Sequence, residues 1–352
     1  MHILIVGAWK WPQYESALSG GLKENGVLVS RFVTSSFFKG KAGRIQLTLP
    51  FPGPSLLFLN LSLFQYIKKM RPTVVLFWRP THILPYTVRK IKLLGIKTIS
   101  YNNDDPFGPL AKQDVPWHHH YLWYWYLKTL PYNNCNFFYR SINCLEAQRY
   151  GSTQNKVLLP YFIPAQDRPI NLRPRDKEKF DTDIVFVGHY ENDSRTDCLL
   201  ALDKAGFKLK IWSGHDWDPK ILGSLYTKIG PIYPALDNDY TKALCGAKIC
   251  LAFLSKHNRD TYTRRCFEIP ACGKLMLAER TKDLTDFFKE DEEACFFSSI
   301  EEAVDKAKWL LSNPDIRERI SKAGLKRVWA DGHDVKSRAS YLINTLRSCT
   351  NN

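Results

Sequence analysis

Several common signatures are missing from this sequence. No apolar run approaches the ~20 residues that a membrane-spanning helix needs, and the longest candidate, residues 56–64, is interrupted by Asn60 and Ser62. The N-terminus opens directly with an apolar, strand-like segment (residues 1–6) and shows no charged region followed by a hydrophobic region, so no secretion signal is expected. The nine cysteines form no C-x-x-C pair and are expected to be reduced thiols. These absences predict a cytoplasmic protein.

Cofactor fingerprints are also missing. After the first strand the sequence reads GAWKW (residues 7–11), and after the first strand of the second half it reads GHY (residues 188–190). Neither is the G-x-G-x-x-G of a dinucleotide site, because such bulky side chains would keep a pyrophosphate away from the backbone. A P-loop and a G-x-S-x-G elbow are absent as well. The sequence therefore argues against a dehydrogenase.

Acidic residues are scarce in the first half of the chain. Residues 1–160 contain 19 Lys and Arg against 6 Asp and Glu, whereas residues 161–352 contain 31 against 29. The formal net charge of +15 therefore resides almost entirely in the first half. Such an asymmetry favours an anionic partner, which could be nucleic acid, a phosphorylated acceptor or an acidic membrane surface, unless the charge only serves solubility.

The remaining pattern is that of an α/β protein with two domains. Apolar strand-like runs alternate with amphipathic helical runs in both halves, which indicates parallel sheets covered by helices. Pro164, Pro169 and Pro174 lie among polar residues and suggest an exposed linker. We predict an N-terminal domain at 1–162, a linker at 163–180, a C-terminal domain at 181–333 and a final helical segment at 334–352.

The segment RRCFEIPACGK (residues 264–274) carries the most specific pattern. Arg264 and Arg265 precede Glu268 by four and three residues, so on a helix the three head groups share one face. Cations suit a diphosphate, and a carboxylate can accept both hydroxyl hydrogens of a ribose. The alternative is a solvated helix with a single intrahelical ion pair.

The sequence of this segment resembles the donor half of GT-B glycosyltransferases, most closely the CgeB-like (spore maturation) branch near glycosyltransferase family 1. The resemblance extends to the apolar strand at 275–278, to the Asp-Asp-Pro at 104–106 and to His333 and Arg338. It implies an α/β fold of two Rossmann-like domains facing across a cleft, with a C-terminal helix crossing back to the first domain. Asp260 stands where better-known retaining relatives have a second glutamate, which leaves the anomeric outcome open.

The resemblance also implies roles for individual residues, with the donor on the second domain and the acceptor on the first. The implied donor-binding residues are Gly188, Arg195, Arg264, Arg265, Glu268, Gly273 and Glu293. The general base is expected to be Asp105, with Asp104 beside it, because a residue before proline is held extended at the strand end. If Asp105 is only a turn residue, Glu15 and His82 are the next candidates. The adjacent carboxylates could also bind a metal, but GT-B relatives generally need none, so we expect neither a metal nor another cofactor.

Aromatic residues mark the expected acceptor side. We assign to it Trp9, Trp11, Arg79, Trp117 and Tyr121. The aromatic run at 117–126 could stack on sugars, lie at a membrane interface or be buried. Zinc binding by His118, His119 and His120 is disfavoured because consecutive side chains point in different directions.

The function expected from these residues is transfer of a sugar from a nucleotide-sugar to a hydroxyl acceptor. The acceptor is expected to be anionic or lipid-linked, a precursor of a bacterial surface glycan, glycolipid or glycoprotein, reached from the cytoplasm or from a peripheral position at the inner face of the membrane. Nucleic acid is not expected as a partner. The alternatives are a GT-B nucleotide-sugar epimerase or hydrolase, and a non-enzymatic binder of anionic polymers.

Overall fold

The computed structural model describes residues 1–108, 117–214 and 217–348. The chain separates into two compact units. Unit 1 consists of Met1–Leu159, the short segment His257–Arg259 and the C-terminal residues from Val335 onward. Unit 2 consists of Pro160–Lys256 and Asp260–Asp334. The last four residues of the predicted C-terminal segment, 349–352, lie outside the described part.

Unit 1 is built on a six-stranded parallel sheet with the order β2-β1-β3-β4-β5-β6. Its strands are β1 (His2–Gly7), β2 (Leu28–Val33), β3 (Val74–Trp78), β4 (Lys97–Asn102), β5 (Cys135–Phe138) and β6 (Asn155–Val157). The register places Ile3 opposite Val74 and Val29 in the two strands that flank β1. The chain moves outward in opposite directions from β1 and β3, so their carboxyl ends form the topological switch point, where α/β sheets bind ligands.

Unit 2 repeats this design with a five-stranded parallel sheet in the order β11-β10-β9-β7-β8. Its strands are β7 (Thr182–Val187), β8 (Leu209–Trp212), β9 (Ala247–Ala252), β10 (Leu275–Glu279) and β11 (Cys295–Phe297). The switch point of this sheet lies between β7 and β9.

Helices cover the sheets of both units. Those preceding residue 160 are α1 (Ala17–Glu24), α2 (Gly40–Thr48), α3 (Pro54–Met70), α4 (Pro85–Leu93), α5 (His119–Leu122), α6 (Tyr124–Thr129) and α7 (Ser141–Gln148). Those of unit 2 are α8 (Pro174–Phe180), α9 (Arg195–Lys204), α10 (Pro219–Leu222), α11 (Ser224–Ile229), α12 (Asn238–Gly246), α13 (Arg265–Ala271), α14 (Lys282–Phe287), α15 (Ile300–Ser312) and α16 (Pro314–Ala330). The last helix is α17 (Val335–Ser348), and shorter helical turns cover Pro12–Ser16, Ser35–Phe37 and Leu130–Tyr132.

The helix α3 shows how the sequence determines these elements. Leu59, Leu63 and Ile67 recur every four residues and are fully buried in the same apolar cluster as Val75 of β3, as expected for one face of an amphipathic helix. The helix ends at Arg71, which adopts a left-handed conformation with φ 50° directly before Pro72. Sequence periodicity therefore accounts for the buried face of this helix, and the proline for its end.

The C-terminal helix α17 belongs to unit 1, where it packs on α1. Gly21 of α1 makes this contact possible, since a Cβ atom there would lie 2.6 Å from the carbonyl oxygen of Val335. The side chain of Asn25 donates a hydrogen bond of 2.9 Å to the carbonyl of Lys336. The predicted return of the final helix to the first domain is thereby confirmed.

The stretch at 163–180 is not the exposed linker expected from its prolines. It belongs to unit 2, contains α8, and buries Asp167 and Phe180 to 1% exposure each. Pro174 begins α8, and contacts with the rest of unit 2 hold the stretch in place: Oδ2 of Asp167 lies 3.6 Å from Arg264, and the hydroxyl of Thr241 donates to the carbonyl of Gln166 at 2.9 Å. The predicted class, two α/β units with parallel sheets, is confirmed.

Candidate functional site

Arg265 and Gly188 meet at the switch point of unit 2. Gly188 follows β7 directly, and Arg265 is the first residue of α13. A Cβ atom on Gly188 would lie 3.0 Å from Nη2 of Arg265 and 2.6 Å from the ring of Phe186. The guanidinium carbon of Arg265 lies 6.0 Å from the centroid of that ring. Glycine is therefore required at 188 for the arginine to reach the end of β7.

Arg265 has no anionic partner in the part of the chain that the structure describes. It is half-buried, and none of the hydrogen bonds and ion pairs among residues 1–108, 117–214 and 217–348 involves its side chain. A half-buried guanidinium is seldom left without an acceptor, because each of its five N–H groups is a donor. The end of β7 is thus a candidate site for an anion.

The neighbouring residues Arg264 and Glu268 form a buried polar cluster with two further side chains. Arg264 Nε lies 2.5 Å from Glu268 Oε1, and Arg264 Nη2 lies 3.6 Å from Oδ2 of Asp167. The hydroxyl of Tyr240 donates a hydrogen bond of 2.6 Å to Oε2 of Glu268. The predicted proximity of Arg264 and Glu268 is present, whereas Asp167 and Tyr240 come from distant positions that the sequence did not indicate.

This cluster contains two carboxyl groups for one arginine. Burial and the negative charge of Glu268 raise the pKa of Asp167 to about 7, although Arg264 opposes the rise. Burial by itself would lower the pKa of Arg264, but Glu268 and Asp167 raise it above its usual value. Oδ1 of Asp167 is buried and accepts no hydrogen bond from the described residues. The electrostatics of the cluster therefore change when Asp167 gains or loses its proton near neutral pH.

Arg195 holds the loop after β7 and is not open to a ligand. Its guanidinium is 3% exposed and donates to the carbonyl of His189 (2.8 Å), to both carboxylate oxygens of Asp193 (2.8 Å each) and to the carbonyl of Leu254 (3.4 Å). These contacts tie the loop after β7 to the end of β9. In this arrangement protein acceptors occupy the guanidinium of Arg195, so it is not available for the nucleotide-sugar binding that was predicted from the sequence.

Gly273 and Glu293 are not brought to the end of β7. Gly273 follows the C-terminal end of α13, opposite Arg265, and has φ 67° with its backbone near Pro169, which is the ordinary role of a glycine after a helix. Glu293 precedes β11, at the opposite edge of the parallel sheet, where its Oε2 accepts from the backbone N–H of Lys289 at 2.9 Å. Both residues serve turns.

The switch point of unit 1 gathers Trp9, Glu15 and Arg79. Trp9 and Arg79 follow β1 and β3 and both adopt positive φ values, 54° and 46°, a conformation that is costly for residues other than glycine and concentrates at functional sites. The backbone N–H of Trp9 donates to Oε1 of Glu15 at 3.1 Å. Gly7 makes room for this carboxylate, because a Cβ atom there would lie 2.5 Å from Oε1.

Charged groups at this point influence one another. Burial raises the pKa of Glu15, opposed by backbone hydrogen bonds and by the charge of Arg79. Arg79 forms an ion pair with Asp104, and its guanidinium carbon lies 5.2 Å from the ring centroid of Trp123. The indole N–H of Trp9 is buried and has no acceptor among the described residues. A carboxyl group of raised pKa thus lies beside a cation and an unsatisfied donor.

Trp11, the second tryptophan assigned to this loop, is 45% exposed. Its ring centroid lies 4.9 Å from Nζ of Lys10.

Asp105 does not project outward as expected but is fully buried. Its Oδ1 accepts from the backbone N–H groups of Phe107 (3.1 Å) and Gly108 (3.0 Å), from Asn143 Nδ2 (2.9 Å) and from Arg259 Nη2 (2.9 Å), while Oδ2 lies 2.5 Å from Arg259 Nε. A carboxylate with this many donors has little capacity left to take a proton from an acceptor. In this arrangement Asp105 fixes the loop, and the base role predicted for it is disfavoured on geometric grounds.

His82, the other alternative base, is also buried and engaged. Burial lowers its pKa to about 4. Its Nε2 contacts the carbonyl of Gln46 at 3.0 Å and its Nδ1 the hydroxyl of Thr81 at 2.7 Å. These contacts leave Glu15 as the candidate whose surroundings best suit a base.

Trp117 and Tyr121, the remaining predicted acceptor residues, line an apolar groove of unit 1. They are 63% and 59% exposed, and the groove has a volume of about 520 Å³. The full lining is Leu49, Pro50, Phe51, Pro52, Trp117, Tyr121, Tyr124 and Trp125. The structure thus divides the predicted acceptor residues between the switch point and this groove.

Among the described residues there is neither a metal-binding cluster nor a membrane-spanning helix. No three His, Cys, Asp or Glu side chains converge there in an arrangement that could hold a metal ion, so metal-independence stays a prediction. No described helix combines the length and the apolar character required to cross a membrane.

Residues 195–344 match the family model described as glycosyl transferase-like. No curated protein sequence matches the chain significantly. Solved structures do resemble it over nearly its whole length. Sucrose-phosphate synthase from Thermosynechococcus elongatus is 13% identical with a TM-score of 0.69, covering 99% of this chain and 98% of that one.

Two further structures show how widely the fold is shared. HepE from Anabaena, in complex with UDP and glucose, is 11% identical with a TM-score of 0.68 and coverages of 99% and 100%. A putative UDP-N-acetylglucosamine 2-epimerase from Listeria monocytogenes is 10% identical with a TM-score of 0.59 and coverages of 99% and 96%. The predicted GT-B fold is confirmed, while the CgeB-like subgroup stays a prediction. The chain therefore has the GT-B fold, and its residues 195–344 are similar to the glycosyl transferase-like family.

Proposed function

We propose that this protein is a glycosyltransferase that moves a sugar from a nucleoside-diphosphate sugar to a hydroxyl acceptor. The observation that carries the proposal is the half-buried side chain of Arg265, which lies against Gly188 at the end of β7 and has no protein acceptor in the described chain. The glycosyl transferase-like match at 195–344 includes Arg265. A diphosphate is the ligand that best fits a lone guanidinium at the switch point of an α/β sheet.

The proposed role of Arg265 follows from the charge that develops during the reaction. When the bond between the sugar and the diphosphate breaks, negative charge grows on the leaving diphosphate. A guanidinium already held in place stabilises that charge more in the transition state than in the ground state. The missing side chain at Gly188 leaves the space in which Nη2 of Arg265 lies against the ring of Phe186, so the guanidinium is held at the end of β7.

Glu268 is proposed to bind the ribose. Its two oxygens contact Arg264 and Tyr240, but a carboxylate offers about four lone-pair positions. The contacts with Arg264 and Tyr240 orient the carboxylate, and the remaining positions can accept ribose hydroxyl groups. Asp167 then acts through Arg264 and Glu268 as a positioning residue.

On the acceptor side, the surroundings of Glu15 support it as the base. A base that works near neutral pH needs a pKa above that of an ordinary carboxylate, and burial raises the pKa of Glu15. Arg79 and the unsatisfied indole N–H of Trp9 lie in the same loops and would hold an anionic acceptor. We propose acceptors of the class expected from the sequence, anionic or lipid-linked precursors of a surface glycan, glycolipid or glycoprotein.

HepE was solved with UDP and glucose, so UDP-sugars are the first donors to test. A nucleotide-sugar epimerase is the second candidate, because a putative enzyme of that kind shares the fold. Product analysis distinguishes the two reactions, since an epimerase converts the sugar without an acceptor.

The test of the proposal is UDP binding by an Arg265→Ala variant, measured by titration calorimetry with GDP and ADP in parallel. Loss of charge-assisted hydrogen bonds worth ~1.5–3 kcal/mol should weaken the best-bound nucleotide by about 10- to 150-fold. Arg319→Ala is the matched control, because Arg319 is an exposed arginine of the same unit without an ion pair in the described chain. Equal nucleotide affinity of a folded Arg265→Ala variant and the parent would contradict the proposal.

A further inference from the structure

Unit 1 contains a long stretch without any carboxylate. Between Glu24 and Asp104 the sequence has 12 Lys and Arg and no Asp or Glu. Within the described residues no Asp or Glu side chain forms an ion pair with Lys39, Lys41, Arg44, Lys68 or Lys69, and all five side chains are exposed. Cations left without local counter-charges favour an extended anionic surface as a partner.

The same stretch exposes large apolar side chains along α2, α3 and the segment between them. The exposed fractions are 55% for Ile45, 49% for Phe51, 53% for Leu57, 62% for Phe58 and 58% for Leu61. Isolated exposed apolar residues are ordinary, but a contiguous group rimmed by cations marks an interaction site. We call these residues, with Leu47 and the apolar groove, the α2–α3 surface.

The groove supplies an aromatic border to this surface. The segment joining α2 and α3 lines it on one side, and Trp117, Tyr121 and Tyr124 line it on the other. The indole N–H of Trp125 donates to the carbonyl of Pro50 and so fixes the border to that segment. Nζ of Lys128 lies 2.6 Å from the hydroxyl of Tyr124, which places a further cation at this border.

We propose that the α2–α3 surface docks on a lipid bilayer that contains anionic lipids. Leu57, Phe58 and Leu61 would enter the boundary between head groups and acyl chains, and the tryptophan and tyrosine rings would lie at the level of the head groups. Lysines and arginines around them would contact the anionic head groups. The purpose of this docking, which is to bring the transferase to a lipid-linked acceptor, rests on the proposed function. The docking surface itself does not depend on it.

The composition of the surface favours a bilayer over the other occupants. A nucleic acid or acidic polysaccharide would use the cations and could stack on the aromatic rings. Neither would remove Ile45, Leu47, Leu57 and Leu61 from water. A second copy of this chain would bring an equally basic surface against the first. Of these occupants, a bilayer with anionic lipids is the one that matches both the aliphatic side chains and the charge.

The experiment measures co-sedimentation of the full chain with phosphatidylcholine vesicles, with and without phosphatidylglycerol. We expect binding to the anionic vesicles, weaker binding as salt is raised, and little binding to the neutral ones. The triple variant Leu57→Ser, Phe58→Ser, Leu61→Ser should bind anionic vesicles at least about tenfold more weakly, since each exposed apolar side chain contributes to insertion. Ile142→Ser with Leu145→Ser is the matched control, because these residues are exposed at 43% and 66% on α7 of the same unit.

Nucleotide binding separates this proposal from the proposed function. The triple variant should bind UDP as the parent does, because its substitutions lie in unit 1. A chain that binds vesicles but no nucleotide would refute the transferase and leave the docking surface standing. Vesicle binding that is unchanged in the triple variant, or absent in the parent, would overturn the docking surface. The docking surface would also be overturned if the parent bound oligonucleotides or self-associated but did not bind vesicles, and the triple variant lost that binding or self-association.

Discussion

Replacing the buried carboxyl group of Asp167 by an amide should make unit 2 more stable above neutral pH. Asp167 has no exposed side-chain area and shares one arginine, Arg264, with Glu268. Its pKa is raised to about 7 by burial and by Glu268, whereas in the unfolded chain an Asp titrates near ~3.9. The ionised form therefore destabilises the folded state, and the destabilisation grows as the pH rises from ~3.9, where the unfolded carboxyl ionises, to about 7, above which it stays constant.

The difference between the two pKa values sets the magnitude. It corresponds to about 4 kcal/mol of destabilisation once Asp167 is fully ionised. An Asn side chain loses the attraction of Arg264 at 3.6 Å but can still accept from the backbone N–H of Ile163, so we expect a net gain of ~1–3 kcal/mol for Asp167→Asn. At about pH 5.5 the unfolded carboxyl is already ionised and roughly half of this destabilisation is present, so the gain should be smaller there than at pH 8.5 by about 2 kcal/mol.

The assay is the melting temperature of parent and variant at about pH 5.5, 7 and 8.5, where ~1 kcal/mol corresponds to ~2–4 °C for a unit of this size. Asp183→Asn is the control of opposite sign. Burial would raise the pKa of Asp183, but hydrogen bonds from Lys248 and the backbone of Lys208 lower it overall, so this variant should lose stability at all three pH values. Equal destabilisation by Asp167→Asn at each pH would refute the reasoning, because it would mean that Asp167 is ionised and stabilises through Arg264.

Two further predictions concern unit 1. Gly21→Ala should lower the melting temperature, because its Cβ would lie 2.6 Å from the carbonyl of Val335 and overpacking costs ~1–3 kcal/mol. Gly20→Ala, with no atom within 4 Å of its Cβ, should raise the melting temperature, since the free energy of unfolding should increase by ~0.5–1 kcal/mol. Melting-temperature shifts of the same sign in the two variants would contradict the α1–α17 contact. Glu15→Gln should leave UDP binding unchanged and lower sugar transfer by ~10²–10⁴, the usual contribution of a general base. Transfer at the parent rate by Glu15→Gln would reject Glu15 as the base. Asp105→Asn should instead lower the melting temperature, since it disturbs the buried pair with Arg259.

The fold was predictable because its determinants are local. Strand runs such as that of β1, buried from Ile3 to Val6, and helical faces such as that of α3 are visible as periods of apolar residues. The contact between Arg264 and Glu268 was predictable for the same reason, since residues four apart meet on a helix. The sequence thus predicted the fold class and the proximity of Arg264 and Glu268, whereas the return of the last helix was expected from the GT-B resemblance.

The environment of individual site residues was not predictable, because it depends on residues far apart in the chain. Asp105 was expected to project from a strand end into the cleft, but its donors include Arg259, which is 154 positions away, and Asn143, which is 38 away. The acceptors of Arg195 and the room that Gly188 leaves for Arg265 likewise arise from tertiary packing. The residue types alone carry no signal that separates a structural carboxylate or arginine from a functional one.

The membership of α17 in unit 1 has a consequence for how the nascent chain folds on the ribosome. Ala339, Leu342, Ile343 and Leu346 are buried at 0–5% exposure in a unit whose other residues are almost all made before residue 160. Translation therefore delivers residues 160–334, the bulk of a complete domain, before the N-terminal domain has received its last helix. Of the two domains, the one whose synthesis starts first is completed last, with the face of α1 around Gly21 left uncovered until residues 335–348 leave the exit tunnel.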